Sequence, residues 1–181
     1  AATSLFDPVL CELINDCWWP ERGVILDPFA GGMVRGIVAS VRGYKYVGVE
    51  LRREQVESNQ NQLNPVTTGP YRPKWVCGDS REVLAKWQDT ARVDLIASCP
   101  PYGNREVYSE DPADISNRPY SEFLVAYFDI IAKACHLLKE DRFAVFVVAD
   151  YRDPTTGMMR CLVGDTVRAF EEAGLHYYTD A

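Results

Sequence analysis

The sequence has little that could hold a metal and no stretch that reads as a membrane helix. Its two histidines, His136 and His176, lie in different segments, and its six cysteines, at 11, 17, 77, 99, 135 and 161, form no Cys-x-x-Cys pair. Zinc-ligand spacing is therefore missing. Cysteines scattered through a chain long enough to build a core read as thiols kept reduced inside a cell. No apolar run approaches the roughly 18 residues of a membrane span, and the N-terminus lacks a basic start followed by an apolar core. The chain reads as cytoplasmic, with no membrane contact. No Gly-Lys-Ser or Gly-Lys-Thr occurs, which excludes a Walker phosphate loop. Positive charge is also short: Lys and Arg number 19 against 26 Asp and Glu, a net charge of −7. No global field would hold a nucleic acid, so such a role needs a local patch or a region outside this chain.

What is present is an ordinary globular composition, 47% hydrophobic and 25% charged over 181 residues, enough for a substantial core. Leu5 to Trp19 carries apolar residues at helical spacing. Asp7 and Pro8 fit its N-cap and first position, and Pro20 to Gly23 ends it. Val24-Ile25-Leu26 is too short for a helix and suits a buried parallel strand. The turn Asp27-Pro28-Phe29-Ala30-Gly31-Gly32-Met33-Val34-Arg35-Gly36 then leads into a helix over Ile37 to Val41, closed by Gly43. Strand, glycine turn and helix form the first unit of a nucleotide-binding α/β fold. Tyr46 to Val49 is a second strand ending on Glu50, and Arg52 to Leu63 a helix stopped by Asn64-Pro65. A loop from Val66 to Pro73 leads to the strand Trp75-Val76-Cys77. Arg81 to Trp87 is a short helix and Val93 to Ala97 the fourth strand. Gly103 to Pro119 is polar and too long for a plain connection, so it reads as a functional loop. The rest alternates: a helix from Tyr120 to Leu138, a strand from Phe143 to Ala149, a turn-rich loop from Asp150 to Gly157, a helix from Val163 to Ala173, and a sixth strand from Leu175 to Tyr178. The pattern predicts a single α/β domain over 1–181, a mostly parallel sheet with helices on both faces. A strand beginning so near the C-terminus is unusual for an edge, so the chain is expected to be cut from a longer protein.

Ser98-Cys99-Pro100-Pro101-Tyr102 follows the fourth strand. Neither proline donates a backbone hydrogen bond, so the chain must turn out of the sheet with its carbonyls open to a ligand. Tyr102 adds an aromatic face beside this row of acceptors, an arrangement suited to a flat molecule bearing an amino group. The alternative is a rigid turn with a packed Tyr. In the glycine turn Gly31, Gly32 and Gly36 have the roles of tight turn, close approach and helix packing, while Met33 stands where a further glycine is expected. Glu50 follows Asp27 by roughly the 20 residues at which an acid meets ribose hydroxyls; otherwise it is a solvent-facing strand end. Asp79 is either an acceptor for an adenine amine or the N-cap of the next helix. All four features fall at the C-terminal ends of strands, where open α/β sheets bind ligands.

In this combination the motifs resemble the amino-methyltransferases of DNA, which transfer a methyl group from S-adenosylmethionine to the exocyclic nitrogen of adenine or cytosine. Leu26-Asp27-Pro28-Phe29-Ala30-Gly31, continued by Gly32, is similar to their cofactor loop. Glu50, with Leu51 beside it, resembles their ribose-binding acid, and Gly78-Asp79-Ser80 their adenine-contacting turn. Ser98-Cys99-Pro100-Pro101-Tyr102 resembles their catalytic motif, an Asp, Asn or Ser followed by Pro-Pro and an aromatic. Phe6-Asp7-Pro8 resembles a segment that packs over the methionine end of the cofactor. The resemblance covers nearly the whole chain. It implies a Rossmann-like class I methyltransferase fold and S-adenosyl-L-methionine as cofactor. It also implies a flipped-out base, its amine protons held by acceptors, Tyr102 stacked on it, and no general base. DNA is the implied partner, in a bacterial or phage restriction-modification setting. Strands and helices fill Gly36 to Ser98, leaving no room there for a target-recognition domain. Two positions depart from the pattern. Cys99 stands where the family has Asp, Asn or Ser and is a weaker hydrogen-bond partner, with Ser98 able to supply an oxygen if the loop shifts by one residue. Met33 is expected to weaken cofactor affinity. Two other functions stay open: methylation of a protein amide or of RNA, and a degenerate fold serving as a binding or assembly module.

Overall fold

A computed structural model describes residues 6–18, 23–63, 69–87 and 93–180. The sequence readings at Leu5, Trp19, Pro20, Asn64-Pro65 and Val66 lie outside them. The elements run α1 Pro8–Trp18, β1 Val24–Asp27, α2 Val34–Val41, β2 Lys45–Glu50, α3 Arg53–Asn61, β3 Lys74–Cys77, α4 Ser80–Ala85 and β4 Val93–Ser98. After a long polar loop come α5 Tyr120–Leu137, β5 Leu138–Phe146, the short strands β6 Tyr151–Arg152 and β7 Met159–Arg160, and α6 Leu162–Glu172.

Five strands make one parallel sheet in the order β3-β2-β1-β4-β5. The order reverses between β1 and β4, which opens a crevice at the C-terminal ends of these two strands. Side chains alternate across the sheet. Leu26 and Ile96 face one way, into a core with Phe123, Tyr127 and Ile131 of α5. Ile25, Leu95 and Ala97 face the other, with Ile14 of α1, Ala39 of α2 and Val56 of α3. On that second face a Cβ on Gly36 would meet Trp75 at 2.6 Å, so only glycine lets α2 lie this close to the sheet. The predicted N-cap of α1 is present: Val9 N–H donates to Asp7 Oδ1 at 2.8 Å. Among the described residues no helix is long and apolar enough to cross a membrane.

The C-terminal third differs from the sequence reading. β5 starts directly after α5, at Leu138 and not Phe143, and ends at Phe146. Its pairing jumps from Val93↔Leu138 to Leu95↔Phe143. The extra residues bulge where Asp141 takes φ 55° and Lys139 reaches the buried Asp94 at 2.6 Å. The sixth strand, Leu175 to Tyr178, is absent: this segment joins no ladder. Its Tyr178 ring, mostly exposed, lies 5.5 Å from Phe143 and 5.9 Å from Trp18. The stretch read as a turn-rich loop contains an antiparallel hairpin, β6 with β7. Asp153 fixes its turn by accepting from the Thr155 and Thr156 amides and pairing with Arg160 at 2.6 Å.

Candidate functional site

β1 delivers Asp27 to the centre of the crevice, but facing inward. The carboxylate is fully buried and takes four donors: Arg35 Nε at 2.6 Å, Ser98 Oγ at 2.6 Å, Tyr46 Oη at 2.7 Å and the Phe29 amide at 3.2 Å. Burial disfavours the Arg35 cation, yet Asp27 holds its pKa above the ordinary arginine value. The same guanidinium donates from Nη2 to the Phe29 and Ala30 carbonyls at 2.8 and 2.9 Å, and its carbon lies 4.7 Å from the Phe6 ring centre. One buried ion pair thus fastens the glycine turn, β2 and the end of β4 together. Arg35 was not singled out in the sequence, because an arginine in the first turn of a helix carries no mark of burial.

Beyond this knot lies a cleft of about 610 Å³. Its first wall is Pro28, Phe29, Ala30, Gly31 and Gly32, with Phe6 beside them. The turn is held from behind. Ala30 N–H donates to Val49 O at 3.0 Å, Ser80 Oγ to Pro28 O at 2.6 Å, and Asn59 Nδ2 to Gly31 O at 2.8 Å. A Cβ on Gly31 or Gly32 would meet nothing within 4 Å, so both face open space. Met33, read as a misplaced residue, also lines the cleft.

Glu50 and Leu51 form the next wall. Glu50 Oε2 accepts the Gly31 amide at 3.0 Å and Oε1 the Arg52 amide at 2.8 Å, which leaves a lone pair on each oxygen for a ligand. Burial pushes its carboxyl above the ordinary value, the two amides and Arg52 working against that. Asp79 lines the cleft as well but is the N-cap of α4, accepting the Arg81 amide at 2.8 Å. Arg81 also grips it from Nε and Nη2, and these bonds outweigh burial to lower its pKa. Four contacts fill its lone pairs, so an adenine amine would have to displace Arg81. The neighbouring Ser80 hydroxyl is spent on Pro28.

The opposite wall is Cys99, Pro100, Pro101 and Tyr102. Ser98 O still accepts Val147 N–H at 2.9 Å and Tyr102 O accepts Arg105 N–H at 3.1 Å. Among the described residues no hydrogen bond reaches the three carbonyls between them. This is the row of acceptors that two prolines imply. Burial pushes the Cys99 thiol up, so it stays neutral. Ser98, 2% exposed and bound to Asp27, does not reach the cleft. Asp27 and Ser98, both singled out in the sequence, thus lie behind the site rather than on it.

The hairpin missed in the sequence sets this wall. Gly103, at φ +54°, has Tyr151 Oη 2.1 Å from where a Cβ would be, and Tyr151 is 2% exposed with its ring 6.4 Å from Tyr102. The polar loop closes the cleft through Arg105, Glu106, Tyr108, Asp114 and Ile115. Asp114 organises it, accepting from the Ser109 and Ser116 amides at 2.9 Å and from both hydroxyls. Among the described residues no cluster of His, Cys, Asp and Glu could hold a metal.

No family model and no curated protein sequence matches the chain. Solved structures do. A TehB-like SAM-dependent methyltransferase from Corynebacterium glutamicum matches at TM-score 0.55 and 21% identity, over 91% of this chain and 71% of its own. A 16S rRNA N2 methyltransferase from T. Thermophilus, solved with AdoMet and guanosine, matches at 0.60 and 21% over 95% of this chain but 39% of its own. A precorrin 8W decarboxylase from Methanobacterium thermoautotrophicum matches at 0.61 and 13%, over 94% and 74%. Strand order and these likenesses agree: the chain has the Rossmann-like fold of the class I methyltransferases.

Proposed function

We propose that this chain is an S-adenosylmethionine-dependent methyltransferase acting on the exocyclic amine of adenine or cytosine in DNA. The observation that carries the reading is the sharing of one cleft by the glycine turn, Glu50 and the Cys99-Pro100-Pro101-Tyr102 loop. The residues fit the cofactor. Glu50, on the wall next to the glycine turn, keeps a lone pair on each oxygen that could accept from a ribose diol, and Gly31 and Gly32 leave a cradle that any side chain would occupy. Bound there, the cofactor supplies a methyl carbon on a positively charged sulfur, open to attack by a nitrogen lone pair.

The chain's own part is positioning and electrostatics. Phe6, supported by Arg35, lines the cleft, where it would cover the amino-acid end of the cofactor. The free carbonyls of the Pro-Pro loop hold the amine and draw its lone pair out of conjugation with the ring. Tyr102 stacks on the base, a contact of about 1–3 kcal/mol. A base in a duplex must be flipped out to reach this cleft. With a net charge of −7, contact with DNA falls to a local patch or to a region outside this chain.

The test is mass spectrometry of nucleosides after incubation with cofactor and DNA. N6-methyladenine or N4-methylcytosine should accumulate, and Tyr102→Ala should slow transfer by about 5- to 150-fold, the equivalent of the lost stacking, while sparing cofactor binding. A normal rate in Tyr102→Ala removes the stacking role. The likeness to a 16S rRNA N2 methyltransferase favours RNA as the second substrate class, and methylated nucleosides from RNA but not DNA would select it. Absence of cofactor binding by calorimetry would select a binding or assembly module instead.

A further inference from the structure

An exocyclic amine brings two hydrogens into the cleft, and the Pro-Pro loop is poor in side-chain acceptors to meet them. Ser98 Oγ is committed to Asp27, and Asp27 is fully buried with four donors of its own. Cys99 carries a neutral thiol, a weak partner in either direction. A loop carbonyl can take one hydrogen. The other needs an acceptor from elsewhere on the cleft wall.

Glu106 is placed for it. An exposed residue of the polar loop, it lines the cleft with Cys99, Pro100 and Tyr102, and its charge adds in a minor way to burial in raising the Cys99 and Tyr102 pKa values. Its Oε2 accepts Tyr108 Oη at 2.8 Å, and Tyr108 lines the cleft too. Burial first, and then the Glu106 carboxylate, hold the Tyr108 hydroxyl above the ordinary tyrosine range, which keeps it a donor. The segment bearing both residues is pinned at its far end by the 6% exposed Asp114. One bond from Tyr108 leaves most of the carboxylate's acceptor capacity free.

Resting on the methyltransferase reading above, we propose that Glu106, aimed by Tyr108, is the carboxylate that holds the second hydrogen of the substrate amine. It does from the polar loop what the side chain at position 99 cannot do from the strand end. Its negative charge also stabilises the positive charge that grows on the amine nitrogen as the nitrogen–methyl bond forms and the sulfur–methyl bond breaks, after which one of the two amine protons is lost to solvent.

The test compares binding of 2′-deoxyadenosine and 2′-deoxycytidine, each against its analogue with hydrogen in place of the exocyclic amine. The chain is held with S-adenosylhomocysteine, and affinities are read by NMR titration. The wild type should prefer at least one amine-bearing nucleoside by about tenfold, the discrimination of a hydrogen bond to a charged group. Glu106→Ala should reduce the preference below twofold, and Glu106→Gln, an acceptor without charge, should restore part of it. Tyr108→Phe should weaken it less than Glu106→Ala. S-Adenosylhomocysteine affinity should stay within twofold throughout, showing an intact cleft. On nucleic acid, Glu106→Ala should lower kcat by about 100-fold with the cofactor KM unchanged. Equal wild-type affinity for both members of each pair, or a preference that survives in Glu106→Ala, overturns the proposal. An active wild type with unchanged kcat in Glu106→Ala overturns it alone; no transfer to DNA or RNA by the wild type, with the cofactor bound, overturns the nucleobase-amine reading with it.

Discussion

Replacing Asp27 with Ala strands a buried cation. Arg35 has a side chain only 12% exposed, and its partner carboxylate supplies the opposite charge that offsets its burial. Removing one member of a buried pair costs about 3–5 kcal/mol, because the other charge stays desolvated. The Ser98 and Tyr46 hydroxyls lose their acceptor at the same time, but these losses overlap with the first and should not be summed. A total near 4 kcal/mol, at an m-value of about 2 kcal/mol per molar urea, lowers the urea midpoint by about 2 M. Equilibrium unfolding followed by tryptophan fluorescence reads this directly. Replacing both partners with apolar residues, Asp27→Leu with Arg35→Met, should recover most of the loss, since neither charge is then left unpaired. A loss below about 1 kcal/mol in Asp27→Ala, or a double variant no better than the single, would refute the knot as the fastening of the glycine turn.

Three further outcomes follow from single contacts. Gly103→Ala forces a Cβ to 2.1 Å from Tyr151 Oη in a left-handed backbone and should cost about 1–3 kcal/mol in thermal or urea unfolding, with partial rescue by Tyr151→Phe. Glu50 accepts best when ionised, and burial raises its pKa above the ordinary 4.5. Cofactor affinity measured by calorimetry should therefore fall on acidification at a pH above 4.5, and Glu50→Gln should lower affinity at pH 7 and flatten that dependence. Asp79→Ala should cost about 1 kcal/mol of stability as a lost helix cap while changing cofactor affinity no more than about twofold. A tenfold loss of affinity there would return Asp79 to the adenine.

The parallel sheet and the positions of Glu50 and Tyr102 were legible because each depends on local chemistry. Short apolar runs bounded by Gly and Pro mark buried strands, and two prolines stop a strand wherever they fall. The inward turn of Asp27 and Ser98 was not legible, because it depends on Arg35 and Tyr46 arriving from two other elements. The hairpin of Tyr151 escaped because two-residue strands are too short to alternate. The missing sixth strand had suitable residues, but the segment joins no ladder, and Tyr178 meets Phe143 and Trp18 only through ring contacts. Glu106 gave no local sign at all, since its significance lies in what Cys99 fails to offer across the cleft.

The central claim is that one cleft brings S-adenosylmethionine against a nucleobase amine. Its most direct test is incubation of the chain with methyl-labelled cofactor and mixed-sequence DNA, followed by digestion and mass spectrometry of the nucleosides. Label on N6 of adenine or N4 of cytosine is the expected result, accumulating far more slowly in Tyr102→Ala. Label on no nucleoside from DNA or RNA, with the cofactor demonstrably bound, would contradict the claim.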